Sequence, residues 1–230
     1  MVHKSILGTI SGSIFLSLSF TLHAQEPITL KQWFAEDHSG NMHISVSGDT
    51  LDITAPKGFT LWYKNRLSGE YEISYSACFV MQGGKHDRLS DLNCFWGAND
   101  PDHPDDLFAR SQYRNGFFPN YKTLKLFYVG YGGNHNSTTR FRRYLGGGPD
   151  LKDSLARPVI KEYTDKQHLL SPDRWYHIRI QVKKNITYFF VNDEMLFSHP
   201  LKGNEGDGHF GLRLLKNHVL FAGFRVKRTK

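Results

Sequence analysis

The sequence has few cysteines and lacks the residue spacings of a zinc site. Only Cys78 and Cys94 occur among its 230 residues, and neither Cys-x-x-Cys nor His-x-x-His is present. These absences leave at most one disulfide and remove the usual sequence signature of bound zinc. Both cysteines lie in strand-like segments on either side of a glycine-containing reversal. We therefore expect either a cross-strand disulfide or two buried free thiols.

Long amphipathic helical patterns, internal repeats and low-complexity tracts are also missing. Instead, 39% of the 230 residues are hydrophobic and 14% are aromatic, and the mean hydropathy is −0.47. This composition indicates a folded chain, because disordered and fibrous polypeptides carry far fewer aromatic residues. The length fits one all-β domain, since such domains run to about 200–250 residues.

The amino terminus has a basic residue, followed by an apolar stretch and then by a small residue. Lys4 precedes an apolar stretch over residues 6–20, and the small residue Ala24 follows it. This order predicts a secretory signal peptide at residues 1–24. The stretch is shorter than the roughly 20 residues of a membrane span, and no cysteine follows for a lipid anchor. We expect a periplasmic or secreted protein without an integral membrane segment after cleavage; the alternative is a retained anchor helix.

Acidic residues are fewer than basic ones. The chain has 29 Lys and Arg against 22 Asp and Glu, a formal net charge of +7. A basic surface attracts anions such as nucleic acids, anionic membranes and acidic polysaccharides. Because the signal peptide predicts a location outside the cytoplasm, we expect an acidic oligosaccharide or polysaccharide as the partner and no nucleic acid.

Short runs of alternating apolar and polar residues follow one another from Ile28 onward. They are rich in β-branched and aromatic residues, and Gly, Pro, Asn and Asp separate them, which is typical of strands joined by turns. About a dozen such strands predict an all-β, two-sheet antiparallel sandwich. The clearest runs are residues 43–47, 51–54, 59–63, 71–79, 92–96, 123–129, 138–144, 175–182, 186–191, 210–214 and 219–226. Residues 97–120 are the least strand-like, and a loop of this length is usually functional or mobile.

Several segments resemble known families. Those near the carboxyl terminus resemble the concanavalin A-like and laminin-G-like jelly-roll superfamily: Trp175–Ile180, Tyr188–Asp193 and Gly208–Arg213. Others resemble poorly characterised secreted jelly-roll families of polysaccharide-degrading bacteria: Leu61–Asn65, Asn93–Gly97 and Phe127–Tyr144. The resemblance implies a single concanavalin-like jelly-roll domain over residues 25–230 and an association with glycans.

The densest group of polar and aromatic residues lies in residues 127–144. If the two strands of this segment pair, Tyr128 lies near Arg140, and His135 lies at the rim. β-Elimination from a uronate needs a neutralised carboxylate, a base for the α proton and an acid for the leaving oxygen. We therefore predict a polysaccharide lyase in which Arg140 and Asn134 hold the carboxylate, His135 is the base and Tyr128 is the acid. The alternative is solvated arginines and a solvated histidine.

Five further residues are predicted to contact the sugar. Aromatic rings stack on pyranoses, and Lys, Arg and Asn donate hydrogen bonds to hydroxyl and carboxylate oxygens. Those five are Lys64, Asn65, Trp96, Tyr131 and Arg142. Both Trp62 and Trp96 suit the core equally well, since large aromatic side chains often fill a sandwich.

Paired carboxylates of the hydrolase type are not evident in the sequence. Glycoside hydrolysis needs two carboxyl groups about 5–10 Å apart, and the Glu-x-Asp-x-x-Glu pattern of retaining jelly-roll hydrolases is absent. The acids of the long loop are expected to face solvent or to bind a structural Ca²⁺; they are Asp100, Asp102, Asp105 and Asp106. No other cofactor is predicted. The alternatives to a lyase are a non-catalytic carbohydrate-binding module and a glycoside hydrolase whose acids the fold brings together.

Overall fold

The computed structural model describes residues 28–148 and 151–228 of the chain. The predicted signal peptide, residues 1–24, lies outside them. All strand pairs in the described part are antiparallel, which confirms the predicted all-β sandwich. The strands are β1 (Trp33–Asp37), β2 (His43–Ser47), β3 (Thr50–Tyr63), β4 (Tyr71–Phe79), β5 (Leu92–Asn99), β6 (Lys125–Gly132), β7 (Thr138–Leu145), β8 (Val159–Tyr163), β9 (Trp175–Lys183), β10 (Ile186–Val191), β11 (Glu194–Pro200) and β12 (His209–Arg228).

The helices among the described residues are all short, of three to six residues. They are Leu30–Gln32, Leu107–Arg110, Ser111–Arg114, Phe118–Thr123, Gly133–Asn136, Asp153–Ala156 and Lys166–His168. None of the helices in the described ranges is long and apolar enough to cross a membrane.

Two long strands, β3 and β12, belong to both sheets. The first part of β3 pairs with the second part of β12. On the other side of a register shift between Leu215 and Asn217, the second part of β3 pairs with the first part of β12. The front sheet therefore runs β1-β3-β12-β5-β6-β7-β8, and the back sheet runs β2-β3-β12-β4-β9-β10-β11. Residues 210–214 and 219–226 were predicted as separate strands, but they are one.

The bend in β12 explains that difference. Lys216 has a left-handed φ of 53°, a backbone conformation that is found in turns. The buried Asn217 side chain supplies hydrogen bonds where the backbone ladder is interrupted. Its Oδ1 accepts from the Leu215 amide at 2.6 Å, and its Nδ2 donates to the Ser90 carbonyl at 2.7 Å. The chain thus passes from one sheet to the other through a bulge whose polar groups are satisfied.

Aromatic side chains fill the space between the sheets. Trp96 on β5 is fully buried there, stacked on Phe141 with ring centroids 5.5 Å apart. Its indole nitrogen donates to the Thr187 hydroxyl at 3.0 Å. The prediction that Trp96 contacts sugar is therefore wrong, and its role as a core residue is confirmed, because its ring has no face open to a ligand.

The two cysteines are free and buried. β12 lies between β4 and β5, where Cys78 is opposite Leu220 and Cys94 is opposite Leu212. This separation along β12 excludes the disulfide and confirms the alternative of two buried free thiols, since the intervening strand keeps the two thiols apart. Burial raises the pKa of Cys94 to about 12, as expected for an unreactive core thiol.

Residues 100–124, here called the cover segment, lie across the outer face of the front sheet. Tyr121 of this segment stacks against Trp62 and Phe95 of the sheet, with centroids 6.2 and 5.5 Å away. All three rings are fully buried. Trp62 is thus a core residue, and much of the segment predicted to be a functional or mobile loop is packed on the sheet.

Buried ion pairs hold the cover segment in place. The fully buried Arg114 contacts Glu36 of β1 at 2.8 Å, and the Tyr121 hydroxyl donates to the same carboxylate. Asp100 is also buried and accepts two hydrogen bonds from Arg110, both at 2.8 Å. The expectation that Asp100 faces solvent or binds Ca²⁺ is therefore wrong for this residue. No group of three or more His, Cys, Asp or Glu in the described ranges is arranged to hold a metal ion.

Candidate functional site

The cover segment leaves open a part of the front sheet over β6 and β7. A cavity of about 260 Å³ lies there. We call it the arginine pocket, and it is lined by Asp91, Phe118, Tyr128, Gly130, Gly133, Asn134, Thr138, Arg140, Arg142 and Arg157. Four of the residues predicted to form the site are among them, namely Tyr128, Asn134, Arg140 and Arg142.

The register of β6 and β7 brings these side chains together. Tyr128 is opposite Arg142, and Gly130 is opposite Arg140. Side chains alternate between the faces of a strand, so Phe141 points into the core, where it is 1% exposed. The two arginines on either side of it point outward into the pocket.

Arg142 carries a positive charge that no carboxylate neutralises in the described part of the chain. Its Nη1 donates to the Arg157 carbonyl at 2.7 Å. By contrast, Arg140 pairs with Glu162, and Arg157 pairs with Asp153. Burial, together with the charge of Arg140, lowers the pKa of Arg142 from its usual value. An arginine nonetheless stays protonated in proteins, so an anion in the pocket would meet an unpaired guanidinium.

The Tyr128 hydroxyl is a second group without a partner among the described residues. The side chain is only 8% exposed, and the ring lies over Gly130, where a Cβ would come within 2.6 Å of the hydroxyl. Burial raises the pKa of Tyr128 well above its usual value. The hydroxyl therefore stays protonated and can donate a hydrogen bond to a bound ligand.

A buried arginine lies beside the pocket. Arg213 is 2% exposed, donates to the Gly116 carbonyl at 2.7 Å, and has its guanidinium 5.3 Å from the ring centre of Phe118. No carboxylate within the described ranges forms an ion pair with it, so it adds to the positive potential there. Sequence reasoning used the Gly208–Arg213 segment only for the fold. Strand alternation could have found Arg213, because Leu212 and Leu214 are both core residues.

His135 is exposed and does not line the arginine pocket. It lies on the β6–β7 turn with a left-handed φ of 57°, between Asn134 and Asn136, which are also left-handed. This backbone presents Asn134 to the pocket and leaves His135 outside. The structure therefore does not bring together the predicted base and the predicted acid, Tyr128.

Three other predicted contacts lie elsewhere. The Lys64 ammonium donates to the Lys31 carbonyl at 2.9 Å, and the Asn65 amide donates to the Tyr63 hydroxyl at 2.9 Å. Both residues follow the end of β3 and do not line the arginine pocket. Tyr131 is buried with its ring against Tyr176, and it lines a different cavity.

The arginine pocket is chemically suited to holding an anion. Its guanidinium groups and tyrosine hydroxyl are hydrogen-bond donors, and its one lining carboxylate, Asp91, is paired with Arg88 at 2.7 Å. No histidine lines it in the described ranges. Two-carboxylate hydrolysis needs a pair of carboxyl groups, whereas Asp91 is the one carboxylate in this lining.

Comparison with known sequences gives one match. A family model described as "Domain of unknown function (DUF6250)" matches residues 53–224, which include every strand that forms the arginine pocket. No curated protein matches the chain.

Comparison with solved structures shows the fold. A Bacillus subtilis protein of unknown function with a galectin-like fold superposes with a TM-score of 0.65 at 16% identity, covering 86% of this chain and 90% of that one. The carbohydrate-binding module CBM66 from B. subtilis gives 0.54 at 12% identity, with 85% and 95% covered. The metal-free carbohydrate recognition domain of Emp46p gives 0.57 at 11% identity, with 86% and 88% covered. At these low identities the similarity shows a galectin-like β-sandwich fold alone.

Proposed function

The chain belongs to the family described as "Domain of unknown function (DUF6250)", and we propose that it is a non-catalytic carbohydrate-binding protein that holds an acidic glycan in the arginine pocket. The observation that carries this proposal is Arg142, a half-buried guanidinium with no carboxylate partner in the described part of the chain. Guanidinium groups bind carboxylates through two parallel hydrogen bonds. The Tyr128 hydroxyl adds a donor beside it.

Similarity of fold supports a glycan as the ligand. Of the similar structures, one is a carbohydrate-binding module and another is a carbohydrate recognition domain. A shared fold alone does not fix a function, so the pocket supplies the chemical argument. A glycan partner also agrees with the secreted or periplasmic location that we propose from residues 1–24.

The lyase interpretation has less support than binding alone. It needs a base near the α proton of a uronate, and His135 lies outside the lining of the pocket. The high pKa of Tyr128 suits a hydrogen-bond donor rather than a base. The hydrolase interpretation needs two carboxyl groups, and Asp91 is the one carboxylate that lines the arginine pocket.

Isothermal titration calorimetry tests the proposed ligand. We expect oligogalacturonates or alginate oligosaccharides to bind more tightly than neutral oligosaccharides of the same length. Arg142→Gln should weaken acidic binding about 10- to 100-fold, because a hydrogen bond to a charged group contributes about 1.5–3 kcal/mol. The control Arg225→Ala removes an exposed arginine of β12 and should change the affinity little. Equal affinity for neutral ligands, or an unchanged affinity in Arg142→Gln, would contradict the proposal.

A separate assay distinguishes binding from cleavage. The purified protein is incubated with the same uronate glycans, and the ultraviolet absorbance of unsaturated products and the reducing ends are followed. We expect neither to rise. A rise in both that His135→Ala leaves unchanged would indicate a lyase with another base, and a rise that this variant abolishes would restore the catalytic role of His135.

A further inference from the structure

A second cavity, at one end of the sandwich, is separate from the arginine pocket. Its volume is about 310 Å³, within the size range of small-molecule sites. We call it the end cavity, and it lies between the β8–β9 connection and the β10–β11 turn. Its lining includes Tyr131, His168, Arg174, Tyr176, Asn192 and Glu194, none of which lines the arginine pocket. The β6–β7 turn separates the two, and Asn136 of this turn bonds to Leu170 through both ends of its side-chain amide.

Tyr131 places an unpaired polar group in the end cavity. The side chain is 3% exposed, and its hydroxyl makes no hydrogen bond to a described residue. Burial raises the pKa of Tyr131 above its usual value, and the nearest charges acting on it include Arg174 and Glu194. Tyr131 itself lines the cavity, and its protonated hydroxyl is both a donor and an acceptor. A hydroxyl without a protein partner can donate to and accept from a ligand or water.

The charged groups that line the end cavity carry both signs, with Lys166 and Arg174 as cations and Glu194 as the carboxylate. The Arg174 guanidinium lies 5.4 Å from the ring centre of Tyr176 and forms no ion pair within the described ranges. The Glu194 carboxylate also lines the cavity and is 3.6 Å from the His168 imidazole. A cationic donor and an anionic acceptor together suit hydroxyl groups, which both donate and accept.

Aromatic walls complete the end cavity. The rings of Tyr131 and Tyr176 meet edge to face with centroids 5.4 Å apart, and both residues line the cavity with only a small part of each side chain exposed. An aromatic wall with a few converging hydrogen-bonding groups is a common design of sites for small ligands. We propose that the end cavity is a second binding site, for a neutral sugar residue, with Tyr131, Arg174 and Glu194 as its hydrogen-bonding groups. This site is independent of the acidic-glycan site proposed above.

Saturation-transfer difference NMR with the methyl glycosides of glucose, galactose and mannose tests the second site. We expect at least one of the three to receive saturation from the wild-type protein. Tyr131→Phe, which removes only a hydroxyl without a hydrogen bond, should lower that signal at least twofold without changing the melting temperature. Glu194→Gln should lower it as well, because the acceptor loses its charge.

The experiment has a matched control variant and two outcomes that would overturn the proposal. Tyr188→Phe removes the hydroxyl of a half-buried tyrosine on β10 that does not line the end cavity, and it should leave the signal unchanged. The proposal is overturned if none of the three glycosides gives a signal, or if Tyr131→Phe and Glu194→Gln both leave it unchanged. Oligouronate binding measured on Tyr131→Phe should equal that of the wild type, so the acidic-glycan proposal stands or fails separately.

Discussion

At the scale of single residues, Gly130 leaves room for the Tyr128 ring in the lining of the arginine pocket. A Cβ at this position would lie 2.6 Å from the Tyr128 hydroxyl, far inside normal contact distance. We therefore expect Gly130→Ala to displace the Tyr128 ring and to weaken acidic-glycan binding about tenfold, measured by calorimetry. Circular dichroism should show an unchanged fold. Affinity equal to that of the wild type would mean that the position of Tyr128 does not matter for binding.

The sequence alone could group the residues of the arginine pocket, but it could not show which aromatic side chains are accessible to a ligand. Strand alternation places Arg140 and Arg142 on one face, and strand pairing brings Tyr128 beside them. Alternation also puts Trp96 on a definite face, but only the packed second sheet shows that this face is the core. His135 was beyond such reasoning, because the left-handed conformations of a turn are not fixed by periodicity.

At the scale of elements, the buried carboxylate of Glu36 joins β1 to the cover segment. It accepts from Arg114 and Tyr121, which are both buried. Glu36→Ala would leave the Arg114 charge without its nearest partner, so we expect the free energy of unfolding to fall by about 3–5 kcal/mol in urea denaturation. Asp102→Ala is the control: it breaks an exposed pair with Arg110 and should cost less than about 1 kcal/mol. Similar losses in both variants would contradict this account.

Most strands were predictable, although β1 and β8 were missed and β3 was divided into two runs, and the packing of the cover segment was not predictable. Predicted strand 186–191 coincides with β10, and 71–79 coincides with β4, because alternation is strong in both. The cover segment has no period, since single side chains anchor it. Tyr121 and Arg114 fit gaps on a sheet that the sequence does not display, so its packing follows from the assembled fold.

At the scale of the whole molecule, no covalent cross-link joins the two cysteines. Cys78 and Cys94 are both free and buried, and β12 lies between their strands. We expect dithiothreitol to leave the melting temperature of the purified protein unchanged. A decrease of several degrees on reduction would reveal a disulfide and contradict this arrangement of strands.

The sharing of β3 and β12 between the sheets also constrains how the chain is made. Residues 50–63 must find residues 209–228 to complete the centre of both layers. Pairing over such a long sequence separation is entropically costly and slows folding. A growing chain releases β3 from the ribosome long before β12 exists, so its central partner arrives last. A nascent chain that stops before β12 would lack the middle of both sheets at once, and neither half could be finished early.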